Sequence, residues 1–401
     1  MKPKQGRLLI TQSGGPTAVI NQTLAAIVDT AKRSGVFSGI IGARHGAQGL
    51  LEGSFIDLAR QRPETLRAVA DTPGAALGTS RHKISPNDLE KVLQTLRAHN
   101  VTAFIGIGGN DSAENALILQ KAAMARGQEL TVVVAPKTVD NDLMETDHCP
   151  GYGSAARFIA LATMGDGRDA EAMGKDRPIT VIEVMGRNSG WLPAASILGK
   201  REEHDAPHIV CIPEVPLLED AFIASIERAI SAHGYAIAVV SENVRGPKGP
   251  LGESGEPEYV DEFGHPYYPS TAKYLARLAG KRLKVRTRFD LPGTIQRAFA
   301  ECVSPVDARE AYAVGRAAAQ RAAAGEGGVM VTLTRAGQRP YRCVTGVTRL
   351  ENVAAKERLL PEEFFDKARG LPTAKYIRYA MPLIGGELPT FGRLKDAPVK
   401  R

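Results

Sequence analysis

The sequence predicts an α/β protein built from two doubly wound, Rossmann-like lobes. Two observations carry that expectation. Short, nearly continuous apolar runs alternate with helix-length segments, the pattern of parallel strands covered on both faces. The chain also has 401 residues, more than one compact core usually organises, so two lobes are expected.

In chain order the strands are read as "RLLIT" at 7–11, "VTAFIGIGG" at 101–109, "LTVVVAP" at 130–136, "PITVIEVMG" at 178–186, "HIVCIP" at 208–213 and "YAIAVVSE" at 235–242. Between the first of them, "TAVINQTLAAIVDTAKRSG" and "DSAENALILQKAAMARG" carry apolar residues at helical spacing. They stop at Gly35 and Gly127, the residue type that most easily takes the left-handed conformation closing a helix. The second opens with Asp111 and, three positions on, Glu114, a capping-box pattern. After Glu242 a stretch rich in Gly, Pro and Glu reads as a surface insertion at 245–270. From 335 the chain is less regular and basic, and reads as a C-terminal appendage with a frayed tail.

A formal net charge of +7 favours an anionic partner. Aromatic residues are only 5% of the chain and no basic run is interleaved with Tyr or Phe, which argues against nucleic acid and for small phosphates. No run of about eighteen apolar residues occurs, and the apolar stretch near the N-terminus is too short for a secretory signal. A cytoplasmic protein without a membrane partner is therefore expected. Cys149, Cys211, Cys302 and Cys343 are too far apart for a CxxC or a ligand pair and read as thiols.

Four strand-to-helix loops are unusually rich in glycine and polar residues: "QSGGPT" (12–17), "GGNDS" (108–112), "PKTVDND" (136–142) and "MGRNSG" (185–190). In open parallel sheets ligands bind beyond the carboxyl ends of the strands. Glycine lets backbone N–H groups approach an anion, and the following helix adds its positive end. Lys137, Asp140 and Asp142 place an ammonium and two carboxylates at the mouth of a buried strand, far more charge than a turn requires.

Taken in order, "SGGPTAVIN", "GARHGAQGLLEG", "LGTSR", "GGNDS", "PKTVDND", "MGRNSGW" and "GTIQRA" resemble the 6-phosphofructokinase family over about residues 7 to 350. The resemblance implies the phosphofructokinase fold, with an active site in the cleft between two lobes. Residues 1–151 with about 296–346 would bind the phosphoryl donor and Mg²⁺. Residues 152–295 with about 347–401 would bind fructose 6-phosphate. Phosphoryl transfer needs an aligned hydroxyl, a proton acceptor and positive charge around the moving phosphorus. By resemblance Asp140 is the base for the sugar 1-hydroxyl, Thr138 positions the substrate, and Asp142 orients the loop or the metal. Arg187 is implied to reach the transferring group, its planar fork matching phosphate oxygens. Met185, Gly186 and Glu242 correspond to sugar contacts, and Arg288 and Arg297 to grips on the 6-phosphate, one of them often supplied by a neighbouring subunit. Thr294 stands where the family usually has His or Tyr.

The donor is read from two positions. ATP-using bacterial members carry glycines where this chain has Asp111 and Lys137, a pair that resembles the pyrophosphate-dependent branch. A carboxylate about 4 Å from an α-phosphate costs a few kcal/mol at an effective dielectric near 20, whereas pyrophosphate has no third phosphate to repel. Lys137 can neutralise the leaving phosphate as its charge develops. Gly15 and Arg81 are implied donor contacts, and Asn110 with Asp111 the Mg²⁺ ligands, Asn110 replacing an acid found in many relatives. Ala25 and Asp29 occupy the places of two effector-binding arginines. The expectation is a reversible, non-allosteric, Mg²⁺-dependent transfer between pyrophosphate and fructose 6-phosphate in glycolysis or gluconeogenesis, by a homodimer or homotetramer. An ATP-dependent enzyme of the same fold is the second reading, and a non-catalytic regulatory subunit the third.

Overall fold

The computed structural model describes residues 6–80, 82, 84–247, 249–251, 259–260, 266–267, 270–395, 397 and 399. All six apolar runs are strands: β1 (Arg7–Gln12), β4 (Val101–Gly108), β5 (Thr131–Pro136), β6 (Ile179–Val184), β7 (Ile209–Cys211) and β8 (Ala236–Ser241). Five more join them: β2 (Ile40–Ala43), β3 (Phe55–Asp57), β9 (Thr287–Asp290), β10 (Val329–Gln338) and β11 (Tyr341–Arg349). The apolar runs are continuous because both strand faces are covered. Leu8 and Ile10 pack with Ile20, Leu24 and Ile27 on one side of β1, while Leu9 packs with Leu93, Leu96 and Leu119 on the other.

These strands form two sheets. The larger has the order β11-β10-β5-β4-β1-β2-β3, and the smaller β9-β6-β8-β7. Within the larger sheet the outer pairs β10–β11 and β2–β3 are antiparallel and the inner pairs parallel. Every pair in the smaller sheet is parallel. Because β5, β4 and β1 are neighbours, the three loops that leave their carboxyl ends lie side by side. The fourth loop leaves β6, and Glu242 follows β8, its neighbour in the smaller sheet.

Helix ends follow the expected glycines: Gly35 closes Ile20–Ser34 at φ 64° and Gly127 has φ 65°. The capping box does not form. Helix Asn110–Ala125 starts two residues earlier than an Asp111 cap requires, with Gly109 at its N-cap and no side-chain cap bond. Asp111 thus falls in the first turn, beside the glycine loop. Gly108 makes this start possible, since a Cβ there would lie 1.9 Å from Ser112 Oγ.

The segment expected to be an appendage is instead built into both lobes. β10 and β11 extend the larger sheet, hidden from sequence reading by the exposed, polar alternation of β11. Farther on, Leu360, Phe365, Tyr376, Leu383 and Ile384 are buried in the core of the smaller-sheet lobe. The described parts of the insertion are short antiparallel pairs, Arg245–Gly246 with Gly249–Pro250 and Tyr259–Val260 with Pro266–Tyr267; much of 245–270 lies outside the described residues. The four cysteines are thiols, three buried and Cys343 half-buried. Among the described residues no helix is long and apolar enough to cross a membrane.

The long helix Tyr152–Met173 is fixed at its start by an acid from another helix. Asp307, in the first turn of Pro305–Ala324, accepts bonds from the N–H groups of Gly151 (2.8 Å) and Ser154 (2.9 Å) and from Ser154 Oγ (2.6 Å). Asp307 is itself buried. Asp307→Ala leaves those donors unsatisfied and is expected to cost about 3 kcal/mol, read as a lower urea-unfolding midpoint.

Candidate active site

Lys137 ties the three adjacent loops together. Its backbone N–H donates to Gly108 O at 2.9 Å, and its Nζ, reaching across the sheet end, donates to Gly15 O at 3.0 Å. Only glycine suits this approach, because a Cβ on Gly14, at φ 74°, would lie 3.2 Å from Nζ. The lysine is 4% exposed. Burial, then Arg297, lowers its pKa to about 8 against the pull of Asp140, Asp142 and Asp111. A buried ammonium at the meeting point of three glycine-rich loops is suited to an anion whose charge grows.

The acids sit on a tight turn. Asn141, between them, has φ 56°, a left-handed conformation that Asn tolerates better than most residues. Asp140 N–H donates to Thr138 Oγ1 (3.1 Å). Burial and then Glu242 raise the Asp140 pKa to about 6, while Arg187, Lys137 and Arg297 oppose them. Burial and then Asp140 raise Asp142 to about 7. An acid brought close to neutrality and surrounded by cations is suited to accept a hydroxyl proton.

Two oxygens near this turn are left over from its hydrogen bonding. Asn110 Nδ2 donates to Asp142 Oδ2 at 3.0 Å, leaving Asn110 Oδ1 and Asp142 Oδ1 both buried without a hydrogen-bond partner among the described residues. Oxygen donors of this kind fit a hard divalent cation. Asp142 thereby joins Asn110 and Asp111 as a candidate ligand.

The smaller sheet closes the site from the other side. Ser189 Oγ, in the loop after β6, donates to Asp140 O at 3.1 Å. Arg187, in the same loop, and Glu242, after β8, act electrostatically on Asp140. Gly186 takes φ 118° where a Cβ would lie 2.6 Å from Ser189 O, and its carbonyl accepts from Ser241 Oγ. Met185 N–H donates to Gln296 Oε1 at 2.9 Å, so the "TIQRA" segment is bonded to the "MGR" loop.

Of the expected 6-phosphate residues, Arg297 alone enters this cluster, and it does so on the donor side: a Cβ on Gly15 would lie 2.4 Å from Arg297 Nη1. Its carbonyl also accepts from Ala18 N–H at 2.8 Å. Arg288 is 45% exposed, bonded to Asp290 at 3.0 Å with Asp169 at 4.0 Å, and Thr294 is exposed. Neither is brought to Asp140 within one chain. Arg81 lies outside the described residues.

Sequence reading missed Gln296, although it sits inside a quoted motif. It also missed Arg358, whose guanidinium holds the acid turn, and Tyr379, whose hydroxyl accepts from Asn141 Nδ2 at 2.9 Å. Nothing local signals either, since both come from the C-terminal segment and act on loops more than two hundred residues earlier.

Glycine loops, a buried ammonium, an acid raised toward neutrality and two arginines are groups of the kind that phosphoryl transfer requires. The phosphofructokinase family model matches residues 7–322, and the chain belongs to that family. It is 36% identical over 96% of its length to the pyrophosphate--fructose 6-phosphate 1-phosphotransferase of Xanthomonas campestris pv. campestris, covering 93% of that protein. With the Rhodospirillum rubrum protein of the same name it shares 35% over 99%, covering 98% of it. The crystal structure of a pyrophosphate-dependent phosphofructokinase from Nitrosospira multiformis superposes with a TM-score of 0.87 at 32% identity, over 97% of this chain and 94% of that one.

The contact of Gly15 with Arg297 yields a test. Gly15→Ala should displace the guanidinium while leaving the fold intact. Phosphoryl-transfer rates are expected to fall on the order of ten- to a hundredfold, with an unchanged urea-unfolding midpoint.

Proposed function

We propose that the chain transfers a phosphoryl group reversibly from pyrophosphate to the 1-hydroxyl of fructose 6-phosphate, giving fructose 1,6-bisphosphate and phosphate. The observation that carries this reading is the bond of Lys137 Nζ to Gly15 O, with Asp111 in the first turn of the neighbouring helix. The lysine stands where a diphosphate would lie between glycine loops, and the acid adds negative charge where a nucleotide would extend its α-phosphate.

In this mechanism Asp140 accepts the 1-hydroxyl proton as the oxygen attacks the phosphorus in line, and Lys137 neutralises the charge that builds on the departing phosphate. Arg187 and Arg297 flank the transferring group. Thr138, Glu242 and the Met185–Gly186 backbone orient the sugar. The orphaned oxygens of Asn110 and Asp142, with Asp111, would hold Mg²⁺; when bound it supplies charge neutralisation to the diphosphate. Arg288 and Thr294 border an exposed apolar strip of Phe289, Leu291, Ile295 and Phe299. That strip suits contact with a second copy of the chain, through which Arg288 would reach a neighbour's 6-phosphate in a homodimer or homotetramer. Effector binding on the first helix is not expected: Ala25 is buried, and Asp29 is held by Arg33 (2.6 Å) and by Tyr312 Oη (2.9 Å).

Steady-state rates with fructose 6-phosphate and either donor test the reading. Pyrophosphate is expected to be preferred over ATP by about a hundredfold or more, the equivalent of a few kcal/mol. Asp111→Gly should shift the preference toward ATP by at least about tenfold. Preference of the unmodified chain for ATP would contradict the assignment.

A further inference from the structure

The peptide between the two acids is fastened by one side chain from the C-terminal segment. Arg358 donates from Nε and Nη2 to Asn141 O at 3.2 and 2.7 Å. From Nη1 it donates to Thr146 O at 2.5 Å and Asp147 O at 2.6 Å. Its own N–H donates to Asp142 O at 2.7 Å. None of these acceptors is a carboxylate: the planar fork reads the carbonyls of one bent loop.

The same guanidinium lies 4.5 Å over the Trp191 ring, and Trp191 Nε1 donates to Arg358 O at 3.1 Å. Trp191 opens the helix that follows "MGRNSG". One residue therefore grips the loop of Asp140 and the loop of Arg187 together. The Asn141 side chain completes the lock, accepting from Cys149 N–H and donating to Tyr379 Oη, both at 2.9 Å. Left-handed backbone at a non-glycine residue persists only where its surroundings over-determine it, and here they do. Arg358 lies beyond residues 7–322, the span matched by the family model.

We propose that Arg358 is a positioning residue for phosphoryl transfer: it holds Asp140 at a fixed place and distance relative to Arg187 without touching substrate. This rests on the proposed role of Asp140. Lysine cannot replace it, because a single ammonium neither bridges three carbonyls nor stacks as a plane on the indole.

The test uses Arg358→Lys and Arg358→Ala in the full chain, with Asp140→Asn as reference. Arg358→Lys should fold, as judged by its urea-unfolding midpoint, yet lose kcat by about tenfold or more while KM for pyrophosphate and fructose 6-phosphate changes less than about threefold, the pattern of misplaced chemistry. Trp191 is the sole tryptophan, so its emission reports loss of the stack. Guanidinium below denaturing concentration should restore part of kcat to Arg358→Ala and none to Asp140→Asn. Wild-type kcat in folded Arg358→Lys, or KM rising in step with the loss, would overturn the clamp. An active Asp140→Asn would instead sink the base assignment.

Discussion

A buried ammonium at the end of a parallel sheet constrains everything around it. Taking a lysine out of water costs several kcal/mol unless opposite charge and hydrogen bonds replace its hydration. Lys137 obtains these from Gly15 O and from Asp140, Asp142 and Asp111. The dependence is mutual. Burial raises both acids of the turn toward neutrality, with Glu242 adding to the effect on Asp140 and Asp140 to that on Asp142, and the ammonium opposes the rise at Asp140. The glycines at 14 and 15 then become necessary, since side chains there would occupy the space of Nζ or of Arg297.

The architecture serves this balance. Three adjacent strands bring the glycine loops, the metal-competent oxygens and the acids to one edge, and the smaller sheet supplies Arg187 and Glu242 from across the cleft. Their spacing is fixed by side chains rather than by the sheets: Ser189 on the Asp140 carbonyl, Gln296 on Met185, Arg358 on the Asn141 carbonyl. Each reaches between segments distant in sequence, so the site is assembled only when both lobes and the C-terminal segment are in place.

That division explains what the sequence disclosed. Strands covered on both faces are continuous apolar runs and were legible, as were the loops at their ends, because glycine and charge at such places have few other uses. Lys137, Asp140 and Asp142 were found this way, Asn110 and Arg187 through the family resemblance of their loops, and the five lie together. The hairpin β10–β11 escaped because one exposed face dilutes its apolar signal, and the failed capping box because Gly109 outcompetes Asp111 for the helix start. Arg358 and Tyr379 were illegible for a different reason: their significance comes from contacts across the fold, and an arginine in a basic stretch looks like a solvated one. Arg288 was legible as a residue type but stands apart from the cluster within a single chain.

The central claim is that the Lys137 ammonium receives the anionic donor. Its pKa, lowered to about 8, leaves it half charged at pH 8; a bound polyanion raises that pKa, so binding must draw a proton from solution. Calorimetric titration of pyrophosphate at pH 8, in buffers of different ionisation enthalpy, measures the uptake, and Lys137→Arg, which stays charged, supplies the reference. The account predicts about half a proton more uptake by the unmodified chain than by the variant. Equal uptake by the two, with binding retained in both, would contradict it.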